Sequence, residues 1–243
     1  MTSTSTRRAD ACSGFRDAGA STRAAEIPPA MNQSIRKSTL EGLCERIARG
    51  PTPAGVSVAA ISASLALGLL SMTLEVTGKR NDAASGRRRK VARLLSAARV
   101  ASATMMDIAD EDAAAFDAYL ESRRLPHRTE REIARRERAL ASSLRRATEV
   151  PLRVARTAVR SLGLCADAAE VVHRAVAADL EAAAITLGAS ARIALRSARS
   201  NIARVAPKTA YYAKAASQAG ELEREAFDLL DRTLTRISQR QLA

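Results

Sequence analysis

Aromatic residues are scarce in this sequence. It has no tryptophan, and its three phenylalanines and three tyrosines amount to 2% of 243 residues. With so few aromatic rings the chain lacks a platform on which single-stranded bases could stack, which argues against nucleic acid as a partner. Hydrophobic residues still make up 47%, and alanine is the commonest of them. Because alanine favours helices and is too small to fill a sandwich core, the composition predicts an all-α fold of closely packed helices.

Cysteine and histidine are also few. Cys12, Cys44 and Cys165 are far apart with no CxxC spacing, and His127 and His173 are isolated. This spacing supports neither a disulfide framework nor a zinc site. We therefore expect no metal, and we expect a reducing compartment, the cytoplasm, as the location of the protein.

The first 30 residues contain no apolar run of the kind that a secretion signal needs. Residues 1–35 are rich in Ser, Thr, Ala and Arg, and they show no apolar periodicity. We predict that they form a disordered basic tail, or that they extend the gene model upstream of a true start at Met31. Residues 36–243 are predicted to form one helical domain.

No charged residue occurs between Pro51 and Leu74. A run of this length could span a bilayer. It is rich in Ser, Thr, Ala and Gly, however, and such small residues let neighbouring helices approach closely. We therefore predict the central helix of a bundle at this position, and no membrane partner.

Acidic residues are outnumbered by basic ones. The chain has 39 Lys and Arg against 26 Asp and Glu, a formal net charge of +13. The excess fits an anionic partner, such as nucleic acid, a membrane surface or a small polyanion, but it also fits arginines on solvated helix faces. Residues 87–90 are a basic run, whereas acidic residues interleave the arginines of 128–146. Glu132 and Arg136 have the spacing of an ion pair within a helix, which favours a solvated face and no nucleic-acid partner.

Caps, prolines and glycines divide the chain into helices. Ser38 and Glu41 have the spacing of a capping box at the start of the first helix. Thr129 is expected to begin the fourth, and Pro151 to kink it because proline removes a backbone donor. The pattern predicts an up-and-down bundle of five to six long helices: 38–48, 55–78, 82–124, 129 to beyond 151, 166–199, and one after Pro207 with Leu222, Ala226, Leu229, Leu230 and Ile237 on one stripe.

Asp112 lies on the apolar stripe of the long third helix, between Ile108 and Phe116. Spacings of three and four residues place these side chains on one face, which should be buried. A buried carboxylate is either a structural group satisfied by a basic or backbone partner, or a group whose raised pKa suits it to proton transfer. Asp179 repeats the pattern in the fifth helix. Three other acidic residues flank the third helix's stripe and are expected to be solvated: Asp110, Glu111 and Asp117.

The segment PTPAGVS, residues 51–57, precedes the uncharged helix. Gly55 and Ser57 at a helix start would expose backbone N–H groups that can hold an anion or a carbonyl oxygen. Proline and glycine also mark ordinary helix starts, so this loop alone does not define a site.

Three segments together resemble the formiminotetrahydrofolate cyclodeaminase and methenyltetrahydrofolate cyclohydrolase family. They are PTPAGVSVAA at 51–60, DAAAFDAYLESRRLP at 112–126, and ATEVPL at 147–152. The family's loop reads PTPGGGS, its long helix carries D-x-x-A-F-(D/N) before an L-P break, and its fourth helix contains A-T-(D/E)-V-P-L. The resemblance extends over residues 33 to 235.

The resemblance implies a homodimer of helical bundles that binds a tetrahydrofolate derivative as substrate in a cleft and needs no separate cofactor. It implies one of two reactions: hydrolysis of 5,10-methenyltetrahydrofolate to 10-formyltetrahydrofolate, or cyclising deamination of 5-formiminotetrahydrofolate. Hydrolysis is preferred because no formiminotransferase domain is attached. Asp112 matches the family's acid, expected to move the proton or stabilise the cation. The residues that match substrate-binding positions are Pro53, Gly55, Ser57, Lys79, Phe116 and Arg192.

The sequence also departs from the family pattern. Ala54 and Val56 replace two loop glycines, and Val56 would narrow the space beside a ligand. Val-Val-His-Arg at 171–174 stands where the family has S-D-A-G, and the pattern around Arg192 loses both its amides. Two alternatives therefore stay open: a relative that acts on a different amidine- or imine-like compound, and a non-catalytic dimerisation scaffold. A cleft filled by Val56 and Val172 would favour the scaffold.

Overall fold

The computed structural model describes residues 34–80, 85–205 and 209–242, and within these ranges it consists of helices joined by short loops, without a strand. The predicted tail at 1–33 lies outside the described residues. Residues Ser34–Ala243 form one compact unit. The six helices are α1 Leu40–Arg49, α2 Gly55–Arg80, α3 Ser85–Arg124, α4 Glu130–Ala168, α5 Ala177–Ala203 and α6 Ala210–Leu242, with short 3₁₀ turns at Ile35–Lys37 and Arg174–Val176.

Helix α2 packs mainly against α3 and α5 and less against α4, and α6 covers α4 and α5. The helix predicted to be central therefore lies at the side of the bundle, with Leu65 on its outer face 69% exposed. Its inner face carries small buried residues in the first half and leucines in the second, such as Ala63, Leu67, Leu70 and Leu74, each with no exposed surface. The predicted all-α bundle is confirmed. Helix α2 is also long and apolar enough to cross a membrane, but half of its most apolar window is buried inside the bundle. A core helix meets the same length test.

The capping predictions have mixed outcomes. Thr129 and Glu132 form a capping box at the start of α4, with Glu132 N donating to Thr129 Oγ1 and Thr129 N donating to Glu132 Oε2. Glu132 therefore serves as a cap, and Arg136 donates instead to the Arg123 carbonyl, so the predicted Glu132 to Arg136 pair is wrong. The first cap is also wrong by one position: Thr39 accepts from Gly42 N.

The boundary between α4 and α5 differs from the prediction, which began the fifth helix at 166. Helix α4 runs on to Ala168, and α5 starts at Ala177. His173 fixes the turn, because its N–H donates to Thr77 Oγ1 and its Nδ1 accepts from Ala175 N. Two arginines of α6 close the end of α4: Arg236 donates to the Ala166 carbonyl and Arg240 to the Ala169 carbonyl.

The last helix was predicted correctly. Along α6, Leu222, Ala226 and Ile237 are buried and Leu229 and Leu230 are partly buried against the core.

Candidate active site

Four helices enclose a cleft of ≈ 150 Å³ at one end of the bundle. The start of α2, the second half of α3, the middle of α4 and the end of α5 each contribute one wall. The lining residues are Ala54, Gly55, Val56, Asp112, Ala115, Phe116, Tyr119, Leu144, Ala147, Ser197, Asn201 and Arg204.

Asp112 is held by the first turn of α2. Ser57 Oγ donates to Asp112 Oδ2 over 2.7 Å, and the Ser57 backbone also hydrogen-bonds the carboxylate. The first backbone N–H groups of a helix have no partner within it and carry partial positive charge, so a carboxylate is favourable there. Asp112 therefore ties α3 to the N-terminus of α2 while it faces the cleft.

Burial raises the pKa of Asp112 above its ordinary value, and the hydrogen bonds from Ser57 partly oppose that rise. Removal from water disfavours the charged form, whereas donors aimed at the carboxylate favour it. The group is therefore brought closer to the range in which it can take up and release a proton. Asp112 lies on the inward face of α3 as predicted, but it is half-buried because it lines the cleft instead of being enclosed in the core.

The predicted ligand loop contributes only in part. Gly55 lines the cleft, as does Phe116 of α3, whereas Pro53 is buried and does not line it. Ser57 has no exposed surface. Its hydroxyl points inward to α3, so it supports Asp112 from behind instead of contacting a ligand.

Two predicted substrate-binding residues lie away from the cleft. Lys79 is exposed at the far end of α2, and the 22 residues that separate it from Ser57 correspond to about 33 Å of helix. Arg192 is exposed on α5, where its charge acts on Glu223 of α6, whereas its neighbour Ile193 faces Gly55. Within one chain, neither cation reaches Asp112.

The acidic residues near Asp112 are less solvated than expected. Asp110 accepts from Ser34 Oγ over 2.6 Å and from Ile35 N over 2.7 Å, so it anchors the segment before α1. Glu111 forms an ion pair with Arg153 of α4. The pKa of Asp117 is raised, first by burial and then by the charge of Glu121.

Asp179, the second buried candidate, lies in the first turn of α5. That turn is at the opposite end of α5 from the cleft-lining residues Ser197 and Asn201. It therefore does not belong to this site.

Sequence reasoning missed the wall formed by α5. Ser197, Asn201 and Arg204 follow one another at spacings of four and three, which places three polar residues on one helix face. Asn201 Nδ2 donates to the Ala147 carbonyl over 2.8 Å and so joins the end of α5 to α4. The spacing of these three polar residues can be read from the sequence, but the contact of Asn201 with the Ala147 carbonyl cannot.

The described ranges contain no group of three or more His, Cys, Asp or Glu side chains that could hold a metal ion. The cysteines that the structure describes are unpaired, Cys44 exposed and Cys165 buried. Burial raises the pKa of the Cys165 thiol to about 12, which makes it unreactive.

The fold and the cleft define a helical-bundle protein with an acidic group at a helix N-terminus. The profile of the formiminotransferase-cyclodeaminase family matches residues 39–221. The chain therefore belongs to the formiminotransferase-cyclodeaminase family.

Individual relatives agree with this assignment. The chain is 36% identical over 158 residues to mouse formimidoyltransferase-cyclodeaminase, which covers 64% of this chain and 29% of the mouse protein. It is thus similar to less than a third of that relative's length. It is 31% identical over 172 residues to methenyltetrahydrofolate cyclohydrolase of Methylorubrum extorquens, covering 70% of this chain and 78% of that protein. Formiminotetrahydrofolate cyclodeaminase of Thermotoga maritima has the same fold, with a TM-score of 0.75 at 20% identity over 84% of this chain and 98% of that one.

Proposed function

We propose that this protein is an enzyme of one-carbon folate metabolism that hydrolyses 5,10-methenyltetrahydrofolate to 10-formyltetrahydrofolate. The observation that carries the proposal is the Asp112 carboxylate, desolvated, hydrogen-bonded by Ser57 and facing a cleft. Family membership supplies the substrate class. The preference for hydrolysis is supported by the cyclohydrolase relative, of which this chain matches 78%.

Asp112 has a defined part in this reaction. The substrate is a cation whose bridging carbon is attacked by water, and an adjacent carboxylate favours that charge. As the water oxygen bonds to the carbon, its proton passes to Asp112, which acts as general base. The bond from that carbon to N5 then breaks as Asp112 delivers the proton to N5. The hydroxyl group on the carbon loses its own proton to solvent, so that a neutral formyl group remains on N10 and one proton is released overall.

Cyclising deamination of 5-formiminotetrahydrofolate is the second candidate. There N10 attacks the formimino carbon, and the departing amine must be protonated to leave as ammonia. A carboxyl group with a raised pKa is suited to donate that proton, so the pKa of Asp112 fits this reaction as well. Deamination closes the ring that hydrolysis opens, and the two activities are separated by assay with each substrate.

The narrow cleft favours a third candidate, a related compound with an amidine or imine carbon. Val56 is buried at the wall where the family pattern has glycine, and the cleft measures ≈ 150 Å³. A non-catalytic scaffold is less favoured, because the cleft keeps Asp112, Asn201 and Arg204 and is not lined by Val172.

The proposed enzyme works as a homodimer in the cytoplasm, with the folate as its substrate and no metal or further cofactor. Unpaired Cys44 and Cys165 fit a reducing compartment. Neither nucleic acid nor a membrane is proposed as a partner.

The direct test follows the absorbance of 5,10-methenyltetrahydrofolate mixed with purified protein. We expect turnover well above the rate in buffer, and Asp112→Asn should reduce kcat/KM by about 100-fold or more. Asp117→Asn, on the same helix but outside the cleft, is the matched control and should keep most activity. A wild-type rate equal to buffer would exclude this substrate, and unchanged turnover by Asp112→Asn would make the residue a structural cap of α2.

A further inference from the structure

The end of the bundle opposite the cleft carries basic side chains from three segments that meet there. Glu170, just after the end of α4, accepts from Lys90 of α3 over 2.5 Å and from Arg236 of α6 over 2.7 Å. The start of α3 and the end of α6 are therefore adjacent across this carboxylate. Roughly 30 Å of α4 lie between Ala147, which lines the cleft, and the helix end at Ala168.

Three arginines lie beyond this carboxylate, towards the outer end of the bundle, and we call them the arginine cluster: Arg87, Arg174 and Arg240. Arg87 precedes Lys90 by three positions on α3, so it lies one turn further out on the same helix face. Arg240 follows Arg236 by four positions on α6 and is displaced in the same way. Arg174 begins the 3₁₀ turn that joins α4 to α5. Three segments far apart in sequence thus bring guanidinium groups to one region.

The arginine cluster has no anionic partner in the part of the chain that the structure describes. Arg87 and Arg174 are exposed, and none of the three arginines forms a salt bridge there. Arg240 donates to the Ala169 carbonyl. Glu170 is already bound by two other cations. The cluster therefore has more positive charge than its own surroundings neutralise.

The three charges also act on one another. Burial lowers the pKa of Arg240 below its ordinary value, and the charges of Arg87 and Arg174 lower it further. Because like charges held close together disfavour each other, a bound anion would remove an unfavourable interaction as well as add a favourable one. Closing the end of α4 accounts for Arg236 and Arg240, but it gives no role to Arg87 or Arg174.

Guanidinium groups on three segments fit an anion with several oxygens. A planar guanidinium donates two parallel hydrogen bonds to phosphate oxygens, and a phosphate group has enough oxygens to serve more than one arginine. A polynucleotide fits less well, because residues 85–90, 170–176 and 236–240 contain no Phe, Tyr or Trp on which a base could stack. Arg174 also lies in the segment where this chain departs from the family's S-D-A-G, so the cluster is not part of the family pattern.

We propose that the arginine cluster is a second binding site, which takes a small molecule carrying a phosphate or diphosphate group. The oxygens of that group bind Arg87, Arg174 and Arg240 at the bundle end, away from the cleft that contains Asp112. The site does not depend on the proposed folate activity.

Calorimetric titration with inorganic pyrophosphate, at constant ionic strength set by chloride, tests the site. We expect saturable binding of one pyrophosphate per chain, and Arg87→Gln and Arg174→Gln should each weaken it about tenfold. Arg135→Gln and Arg138→Gln are the matched controls, because both side chains are exposed on α4 and outside the salt bridges of the described residues. They should bind as the wild type does. No saturable binding, or equal weakening by all four variants, overturns the proposal.

Competition distinguishes this site from a folate site. The affinity for pyrophosphate should be unchanged in the presence of saturating tetrahydrofolate, and displacement would overturn the proposal by making the cluster part of the folate site. A single-stranded oligonucleotide that binds much more tightly than pyrophosphate, and depends on Arg135 as well as Arg87, would overturn it in favour of a nucleic-acid surface. A protein that has no folate activity but binds pyrophosphate through Arg87 and Arg174 would remove the proposed function and leave this site in place.

Discussion

Ser57 and Asp112 are 55 positions apart in sequence, and the serine hydroxyl donates to the carboxylate over 2.7 Å at the junction of α2 and α3. The same serine also contacts the Ala109 carbonyl over 3.4 Å. Because the hydroxyl is fully buried, it has no water to replace these partners. The pair joins two functions in one contact: it caps a helix, and it lowers the pKa of the proposed base against the larger opposite effect of burial.

Removing the Ser57 hydroxyl should shift the pH dependence of activity. The hydrogen bonds from Ser57 lower the pKa of Asp112, so Ser57→Ala should raise that pKa further above its ordinary value. If catalysis needs the carboxylate, the acidic limb of the kcat/KM profile then moves to higher pH. Unfolding should become easier by about 1 kcal/mol. Ser64→Ala is the control, because Ser64 bonds Ser102 across the same two helices away from the cleft; it should cost similar stability without moving the profile.

Asp112 should also make stability depend on pH. Its pKa is raised on folding, so the folded state binds the proton more tightly than the unfolded chain does. Stability is therefore expected to fall as pH rises from the unfolded value near 3.8 through the folded value. Urea unfolding of the wild type and Asp112→Asn at a series of pH values measures this. The stability difference between them should shift in favour of the variant as pH rises, and a constant difference would contradict the assigned environment.

Val56→Gly tests whether the valine restricts the cleft. Val56 lines it and is 7% exposed, and glycine has no side chain to fill the space. We expect a lower KM for 5,10-methenyltetrahydrofolate with little change in kcat, measured by initial rates. The cost is about 2 kcal/mol of unfolding free energy from lost burial and helix propensity. An unchanged or higher KM would show that the natural ligand uses the valine.

The capping box of α4 should matter for stability alone. Thr129→Ala removes the side chain that accepts from Glu132 N, and loss of such a cap costs about 1 kcal/mol. Chemical denaturation gives the change in unfolding free energy. Thr104→Ala on α3, where the hydroxyl bonds only its own helix at Val100, should cost less. Because Thr129 does not line the cleft, kcat/KM should be unaffected.

Local patterns were enough to predict much of this fold. Asp112 was recognisable because a carboxylate interrupts a regular apolar stripe, and Thr129 was recognisable as the start of α4, although its capping partner Glu132 was assigned to a pair with Arg136. The turn after Ala168 was not predictable in this way. It contains neither proline nor glycine, and its closure depends on Arg236 and Arg240 from a helix far along the chain.

The candidate site was likewise predictable only in part from local patterns. The sequence pattern at 51–57 correctly predicted that this segment approaches the cleft. It did not predict which side chains face the cleft, since Gly55, which lines it, and Ser57, which is buried, lie within one turn of helix. Ser57 was therefore expected to contact the ligand and instead contacts Asp112. Lys79 was predicted to bind substrate together with the loop residues. It lies about 33 Å from Ser57 because the two residues are at opposite ends of the long helix α2.

The arginine contacts of α6 have a practical consequence for defining the folding unit. The family match ends at residue 221, in the middle of α6. A protein truncated there would lose Arg236, Arg240 and the buried Ile237 together, exposing the last carbonyls of α4 and a gap in the hydrophobic interior. The segment defined by sequence similarity is therefore shorter than the segment that folds cooperatively. Expression trials should retain the chain through residue 242.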